Sequence, residues 1–182
     1  MTAAADSSDV AVVGTGVVGL AAALGCAQLG LRVCLIGPVP RLRVPTEQAP
    51  FDPRIYALAP ASIELLDSLR AWPQVDAERI QTVSRMRVFG DAGSELNFSA
   101  YSAAVERLAT IVEECELLRV LWLACGFAPS LAHIDDSFGG LLSGSACARI
   151  RLASGRVLGA RLLLGADGKR SAVRAAAGIG TR

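Results

Sequence analysis

Residues 9–37 constrain the fold of this chain more than any other stretch. They read DVAVVGTGVVGLAAALGCAQLGLRVCLIG, an apolar run followed by a glycine-rich turn, an alanine-rich segment and a second apolar run. Gly14, Gly16 and Gly19 follow the first run at the spacing GxGxxG, and Ala23 and Gly30 continue the pattern to the end of the alanine-rich segment. The pattern predicts a strand, a tight turn, a helix and a second parallel strand, which is the βαβ unit of an α/β domain.

Each of the three glycines has a physical role at a dinucleotide site. Gly14 permits the tight turn, Gly16 leaves room for a pyrophosphate beside the backbone, and Gly19 lets the helix and the strand pack closely. At the helix N-terminus, unpaired N–H groups and the positive end of the helix dipole favour an anion. The segment therefore predicts a Rossmann-type FAD- or NAD(P)-binding domain with a parallel sheet. The alternative is a glycine-rich turn that only packs the βαβ elements.

Composition limits the classes of partner. The 182 residues are 52% hydrophobic and carry a net charge of +1, which suits one buried domain and part of a second. Basic and acidic residues are interspersed, so no nucleic-acid partner is expected. Glycines or charges interrupt the apolar runs before they reach the roughly 20 residues of a spanning helix. A peripheral membrane contact is left open.

Cysteine usage and the start of the chain bear on location. The five cysteines have no spacing typical of metal ligands, so we expect reduced, mostly buried thiols and no metal site. The opening MTAAADSSDV lacks the basic start and the apolar run of a signal peptide. Both features favour a cytoplasmic location, and a position peripheral to the inner membrane is left open.

The remaining segments predict helices, hairpins and loops. Prolines concentrated in residues 37–54 predict a long connecting loop, and the internal glycines of residues 127–145 predict another. Leu162 to Leu164 form a fully apolar run that predicts a buried strand. Periodicity and turn residues predict helices at 61–69 and 117–123 and hairpins at 85–98 and 148–164.

A second glycine motif follows the last hairpin directly. It reads GADGKRSAVR at residues 165–174 and precedes an alanine-rich helix that Gly178 ends. Together with the GxGxxG turn, it resembles the GADGxxSxxR motif of the flavoprotein aromatic hydroxylases. The matching residues are Gly165, Ala166, Asp167, Gly168, Ser171 and Arg174. Taken alone, Asp167-Gly168 would be an ordinary turn.

A third segment narrows the resemblance. Between the two glycine motifs, the chain is similar to the DxRxxAL segment and following helix of the ubiquinone-biosynthesis hydroxylases within that group. The matching residues are Asp52, Arg54, Ala57, Leu58, Ser62, Leu66 and Trp72. The three matches occur in the order that the family has them.

The resemblance implies an FAD-dependent monooxygenase that uses NADH or NADPH and O2 to hydroxylate a small aromatic substrate, a polyprenylated phenol of ubiquinone biosynthesis. In such proteins the cofactor supplies the chemistry, and the protein places it and excludes water, so no catalytic triad is expected and no catalytic residue is assigned. A contact with a membrane or a ubiquinone-biosynthesis complex is left open. The residues implied to bind FAD are Gly14, Gly16, Gly19, Arg54, Asp167 and Gly168.

The two charged residues of that set have alternatives. Arg54 can offer several N–H donors to a pyrophosphate, but its spacing supports a surface ion pair with Asp52 equally well. Asp167 can accept from a backbone N–H or a sugar hydroxyl. His133, the single histidine, lies in a predicted loop without a nucleophile nearby, so we expect a solvated side chain.

The resemblance also implies a domain division. Residues 1–80 and 111–182 correspond to the two parts of the FAD-binding domain, and residues 81–110 to strands of an incomplete substrate domain. The 182 residues match only the N-terminal half of the family's length. We therefore expect the C-terminal Gly-Asp motif and most of the substrate sheet to be missing, as in a fragment, a truncated gene product or half of a split protein.

The chain departs from the family's pattern in two segments. Gly37 occupies the place where an Asp or Glu usually binds the adenosine ribose, with Arg41 or Arg43 as alternative anchors. Glu113-Glu114-Cys115 stands where relatives tend to read Glu-Asn-Arg, which removes a positive charge.

Two other functions fit parts of the chain. An NAD(P)-dependent dehydrogenase would share the GxGxxG turn but has no place for the Asp-Gly motif. A non-catalytic FAD-binding remnant or interaction module would account for the missing half.

Overall fold

The computed structural model describes residues 7–42, 51–142 and 147–180. These residues form two compact units: an outer unit within residues 1–42 and 121–182, and an inserted unit within residues 43–120. The strands are β1 (Ser7–Val13), β2 (Val33–Ile36), β3 (Ile55–Leu58), β4 (Ile80–Val83), β5 (Arg85–Phe89), β6 (Glu95–Ser99), β7 (Ala109–Glu113), β8 (Leu131–Ile134), β9 (Phe138–Leu142), β10 (Ala148–Leu152) and β11 (Val157–Gly165). The α-helices are α1 (Val17–Gln28), α2 (Pro60–Ser68), α3 (Glu114–Gly126) and α4 (Ala172–Ala176).

The outer unit is built on a six-stranded sheet in the order β8-β2-β1-β11-β10-β9. The first four strands are parallel, and β10 and β9 join them as an antiparallel extension. Every residue of β2 is buried, which is why this central strand is an unbroken apolar run. One face of the sheet forms a core that includes Ala11, Val13, Ile36, Ile150, Leu152 and Leu158. The predicted α/β fold with a parallel, Rossmann-type sheet is confirmed.

Helix α1 connects β1 to β2 as the glycine pattern predicts. It buries Leu20, Ala23 and Leu24, and small residues in the same helix allow a close approach to the sheet. The chain then turns at Gly30, whose φ of +80° lies in the left-handed region that favours glycine.

The inserted unit contains two small antiparallel sheets, β3-β7-β4 and β5-β6. In the β5-β6 hairpin, Met86 lies opposite Phe98 and Val88 lies opposite Leu96. All four of these apolar side chains are exposed. Helix α2 begins at Pro60, which suits the first helical position because proline has no N–H to satisfy.

The predicted helices and hairpins are confirmed. The helices at 61–69 and 117–123 correspond to α2 and to the longer α3, and the hairpins correspond to β5-β6 and β10-β11. The run from Leu162 to Leu164 does form part of β11, but the prediction that it is buried is wrong, since Leu162 is 51% exposed.

The prediction of a loop over residues 127–145 is wrong. Its described part contains β8, a parallel strand at one edge of the large sheet, and β9, an antiparallel strand at the other edge. The predicted loop over 37–54 has neither helix nor strand at 37–42 or 51–54, and residues 43–50, including Arg43, lie outside the described residues.

The strands β3, β4 and β7 were not expected from the sequence. The assignment of residues 81–110 to a substrate domain, and of the flanking segments to an FAD-binding domain, stays a prediction. Among the described residues, no helix has the length and apolar character needed to cross a membrane.

Candidate functional site

The GxGxxG turn and the Asp-Gly motif meet at one edge of the large sheet. Strands β1 and β11 are parallel neighbours, with Val13 opposite Gly165. The backbone N–H of Ala166 donates to the carbonyl oxygen of Val13 at 2.7 Å. Because parallel strands end at the same edge of a sheet, two motifs far apart in sequence lie side by side, where open α/β sheets bind their ligands.

Gly14 and Gly19 make this close packing possible. Gly14 has a φ of +118°, and a Cβ atom at this position would overlap the carbonyl of Ala166. A Cβ atom at Gly19 would overlap the carbonyl of Gly14. Both positions therefore exclude any side chain, which agrees with the turn and packing roles inferred from the sequence.

Gly16 differs, since its surroundings are open. It is the N-cap of α1, with extended backbone angles and no capping side chain. A Cβ atom built on Gly16 would have no heavy atom of the described residues within 4 Å. The first turn of α1 also contains no acidic residue. An open helix N-terminus without a carboxylate fits the pyrophosphate of a dinucleotide such as FAD.

The carboxylate of Asp167 binds within its own motif. Its Oδ1 accepts from the Ser171 hydroxyl at 2.5 Å, and its Oδ2 accepts from the backbone N–H groups of Ala172 at 2.6 Å and Val173 at 3.2 Å. Burial would raise the pKa of Asp167, but these hydrogen bonds outweigh it and lower the pKa. Asp167 thus secures the start of α4, and its contact with a cofactor stays a prediction.

Gly168, the second residue of the motif, lies in the turn before α4. Its φ is +84°, and a Cβ atom there would contact no described residue within 4 Å. The position therefore needs glycine for its backbone conformation rather than for close packing. Its predicted contact with FAD is likewise untested.

The end of β2 is shaped around Gly37, the position where the family's pattern predicts an acidic residue. A Cβ atom on Gly37 would lie 2.9 Å from Cγ2 of Thr15, and its φ is +154°. The Thr15 hydroxyl donates to the carbonyl of Pro38 at 2.7 Å. Thr15 thus occupies the space that a side chain at position 37 would need.

The prediction that His133 is a solvated loop residue is wrong. His133 lies in β8, and its Nε2 is 2.8 Å from the carbonyl oxygen of Gly37. Since a carbonyl can only accept, Nε2 carries the proton of this bond. The ring also packs edge-on against Trp122, with 4.8 Å between ring centroids. His133 therefore fixes the backbone at the end of β2.

Arg54 lies in the inserted unit, where Glu114 binds its side chain and Asp52 binds its backbone. Its NH1 donates to Oε2 of Glu114 at 3.1 Å, whereas Asp52 accepts from the backbone N–H of Arg54 at 3.0 Å. The hydrogen bond from Arg54 to Glu114 raises the pKa of the guanidinium. The Arg54 side chain is 78% exposed, so a ligand can reach its N–H groups.

Glu113 supports the turn that carries Arg54, a role that is not evident from the sequence. Its Oε1 accepts the backbone N–H of Asp52, and its Oε2 accepts from NH1 of Arg79 at 3.2 Å. The side chains of Arg79 and Glu113 are only 9% and 4% exposed, and Arg79 stacks over Phe51. The sequence offers only a weak indication of this role, namely an acidic pair directly after an apolar run.

Three of the five cysteines are buried, as the sequence predicts for most of them. They are Cys34, Cys115 and Cys125, whereas Cys26 is partly buried and Cys147 is exposed. Burial raises the pKa of both Cys115 and Cys125 to about 11, so neither thiol is ionised at neutral pH.

These features define a nucleotide-binding α/β protein in which a glycine turn and an Asp-Gly motif share one sheet edge. Residues 7–182 match the FAD binding domain family, and the chain belongs to that family. FAD is the cofactor of the family, and the resemblance inferred from the motifs is confirmed.

Curated relatives are named as ubiquinone hydroxylases. The chain is 34% identical over 180 residues to 3-demethoxyubiquinol 3-hydroxylase of Escherichia coli, covering 95% of this chain and 44% of the relative. It is 33% identical over 187 residues to ubiquinone hydroxylase UbiL of Rhodospirillum rubrum, covering 100% of this chain and 42% of the relative. The chain thus spans less than half the length of these relatives.

Solved structures share the fold. PqsL of Pseudomonas aeruginosa, described as a probable FAD-dependent monooxygenase, superposes with a TM-score of 0.73 at 23% identity, covering 97% of this chain and 47% of that protein. p-Nitrophenol 4-monooxygenase PnpA of Pseudomonas putida gives a TM-score of 0.70 at 19% identity, covering 95% of this chain and 44% of that protein.

Proposed function

We propose that this chain is the FAD-binding part of an FAD-dependent monooxygenase that hydroxylates a polyprenylated phenol in ubiquinone biosynthesis. The observation that carries the proposal is the junction of the two glycine motifs, where the Ala166 N–H donates to the Val13 carbonyl beside the open N-terminus of α1. The relatives' names support the reaction and the substrate class.

When bound, FAD would supply the redox chemistry that transfers one oxygen atom of O2 to the aromatic ring after reduction by NADH or NADPH. The chain's own residues would bind the cofactor and orient it. We assign the pyrophosphate to the backbone around Gly16, and a further cofactor contact to Arg54. Gly14 and Gly19 keep the turn tight, and Asp167 and Gly168 shape the adjoining motif. No residue of the chain is assigned a proton transfer.

The β5-β6 hairpin is proposed to be part of the substrate-binding portion. A two-stranded hairpin is only marginally stable alone, and its Met86, Val88, Leu96 and Phe98 side chains are exposed. In a protein of the relatives' length, further strands would cover this face. We place the protein in the cytoplasm or at the surface of the inner membrane, because a polyprenylated substrate partitions into lipid.

A chimera tests the proposed activity. This chain replaces the matching N-terminal part of the E. coli hydroxylase, and the fusion is expressed in a strain that lacks that enzyme. We expect the strain to regain ubiquinone, measured by chromatography, and the same chimera with Gly16→Val to fail. A chimera that is folded and binds FAD but restores no ubiquinone would refute the assigned reaction.

A further inference from the structure

Glu114 accepts hydrogen bonds from two side chains. One is in β3, and the other is in the turn that precedes β3. Oε2 of Glu114 accepts from Arg54 NH1 at 3.1 Å, and its Oε1 accepts from the Tyr56 hydroxyl at 2.9 Å. Its backbone N–H also donates to the carbonyl of Arg54 at 2.9 Å. Both carboxylate oxygens and the main chain of one residue therefore bind the segment that contains Arg54.

Secondary structure holds the backbone of Glu114. Glu114 is the first residue of α3 and directly follows β7, which pairs with β3 so that Ile55 lies opposite Glu113. The buried Glu113 carboxylate holds the Asp52 N–H on the same turn. The backbone around Arg54 is thus fixed on two sides, while the Arg54 side chain is 78% exposed and that of Glu114 only 20%.

The Arg54 guanidinium keeps most of its binding capacity. Within the described part of the chain, one of its N–H groups donates to Glu114, and a guanidinium carries five such donors in a planar fork. The hydrogen bond to Glu114 raises the pKa of Arg54, and burial followed by the bond to Glu114 raises the pKa of Tyr56. At neutral pH the arginine is charged and the phenol is protonated, so the arrangement persists.

We propose that Glu114 and Tyr56 are positioning residues that hold the Arg54 guanidinium ready for a phosphate group of the cofactor. The inference rests on the proposed function and deepens it. An exposed arginine loses much side-chain freedom when it binds an anion, and an arginine that is already held loses less. The same Glu114 that departs from the family's Glu-Asn-Arg pattern thereby acquires a role through Arg54.

Titrations of the 182-residue chain with FAD, followed by quenching of flavin fluorescence, test the proposal. The variants are Arg54→Ala, Glu114→Gln, their double mutant and Tyr56→Phe. Glu106→Gln is the matched control, because Glu106 forms another exposed pair of the inserted unit, with Arg107 at 2.7 Å. Thermal unfolding of each variant reports any general loss of structure.

We expect Arg54→Ala to weaken FAD binding about tenfold or more, as the loss of a charge-assisted hydrogen bond does. Glu114→Gln should weaken it about fivefold through lost ordering, and Tyr56→Phe less. Glu114→Gln should have no further effect in the Arg54→Ala background, and Glu106→Gln should bind as the wild type does. A role confined to folding would instead lower the melting temperature and act equally in both backgrounds.

Three results would overturn the proposal: unchanged or tighter binding by Glu114→Gln, an equal loss in both backgrounds, or wild-type affinity of Arg54→Ala. In each of these cases FAD binding by the glycine turn would stand. Wild-type chain that is folded but binds no FAD would instead overturn the proposed function itself, and the two failures are therefore distinguishable.

Discussion

Gly16 and Gly19 lie on the same turn but meet different surroundings. The backbone of Gly16, at φ −76° and ψ 175°, is allowed for valine, and a Cβ atom there would have no atom of the described residues within 4 Å. A Cβ atom on Gly19 overlaps a carbonyl. One position can therefore be changed without disturbing the fold, and the other cannot.

We expect Gly16→Val to abolish FAD binding while the melting temperature stays close to that of the wild type, because the new side chain fills the space of the pyrophosphate. Gly19→Val should unfold the turn and lower the melting temperature strongly. Calorimetry and FAD titration of both variants check this contrast. Equal FAD affinity of Gly16→Val and wild type would show that the anion does not lie at Gly16.

Gly37 and Thr15 act as a pair. Any side chain at position 37 meets the Thr15 methyl group at 2.9 Å, with a strained φ of +154°. Simply restoring the acidic residue of the family's pattern should therefore harm this chain.

We expect Gly37→Glu to lower stability by about 1–3 kcal/mol, the usual cost of such backbone strain, without tightening FAD binding. Adding Thr15→Ala should recover part of the stability by removing the clash. Denaturant unfolding of the single and double variants measures both effects. If the Gly37→Glu chain were as stable as the wild type and bound FAD more tightly, the claim that position 37 cannot accommodate an acidic side chain would be contradicted.

Among the elements, the short helix α4 depends on the capping carboxylate of Asp167. The pKa of Asp167 in the folded chain lies below the ordinary value of 3.8. A lowered pKa means that the carboxylate stabilises the fold above the unfolded pKa, and that this contribution disappears as pH falls through the folded pKa.

We therefore expect Asp167→Asn to lower the melting temperature at pH 7 and to reduce the difference from the wild type as pH falls below about 4. Ser171→Ala removes one donor to Asp167 and also the N-cap acceptor of the Arg174 N–H, so it should lower the melting temperature with a smaller dependence on pH. Melting curves from pH 2 to 7 measure it. A gap between wild type and Asp167→Asn that is independent of pH would contradict this capping role.

The elements also show what could be predicted from the sequence. The β1-α1-β2 unit and the β10-β11 hairpin were predictable because apolar periodicity and turn glycines are local signals. Strands β8 and β9 were missed because they are short edge strands, and Gly139 and Gly140 in β9 look like loop residues. The sheet β3-β7-β4 depends on pairing between distant segments, which no local pattern reveals.

The residues of the candidate site also fall into those that the sequence reveals and those that it does not. The residues that motifs mark, such as Gly14, Gly16 and Asp167, were found from their spacing. The supporting contacts of Glu113, Glu114 and His133 arise from tertiary pairing, so their roles became visible only in the structure.

At the scale of the whole molecule, the chain spans 44% of the E. coli relative, and its β5-β6 hairpin has an exposed apolar face. A flavin held by this chain alone would be open to water, which diverts reduced flavin and O2 to hydrogen peroxide. Supplied with FAD, NADH or NADPH, O2 and a prenylated phenol, the 182-residue chain should therefore give peroxide or no turnover. Hydroxylated product, detected by mass spectrometry, would show that the chain already contains a closed substrate site.

The central claim is that the glycine turn and the Asp-Gly motif together form an FAD site, and equilibrium binding tests it most directly. Purified chain, shown to be folded by circular dichroism, is titrated with FAD and, in parallel, with NAD⁺ and NADP⁺. We predict saturable, equimolar FAD binding with a shifted flavin absorbance, and much weaker binding of both nicotinamide dinucleotides. A folded chain that binds NAD⁺ or NADP⁺ as tightly as FAD, or that leaves the flavin spectrum unchanged, would contradict it.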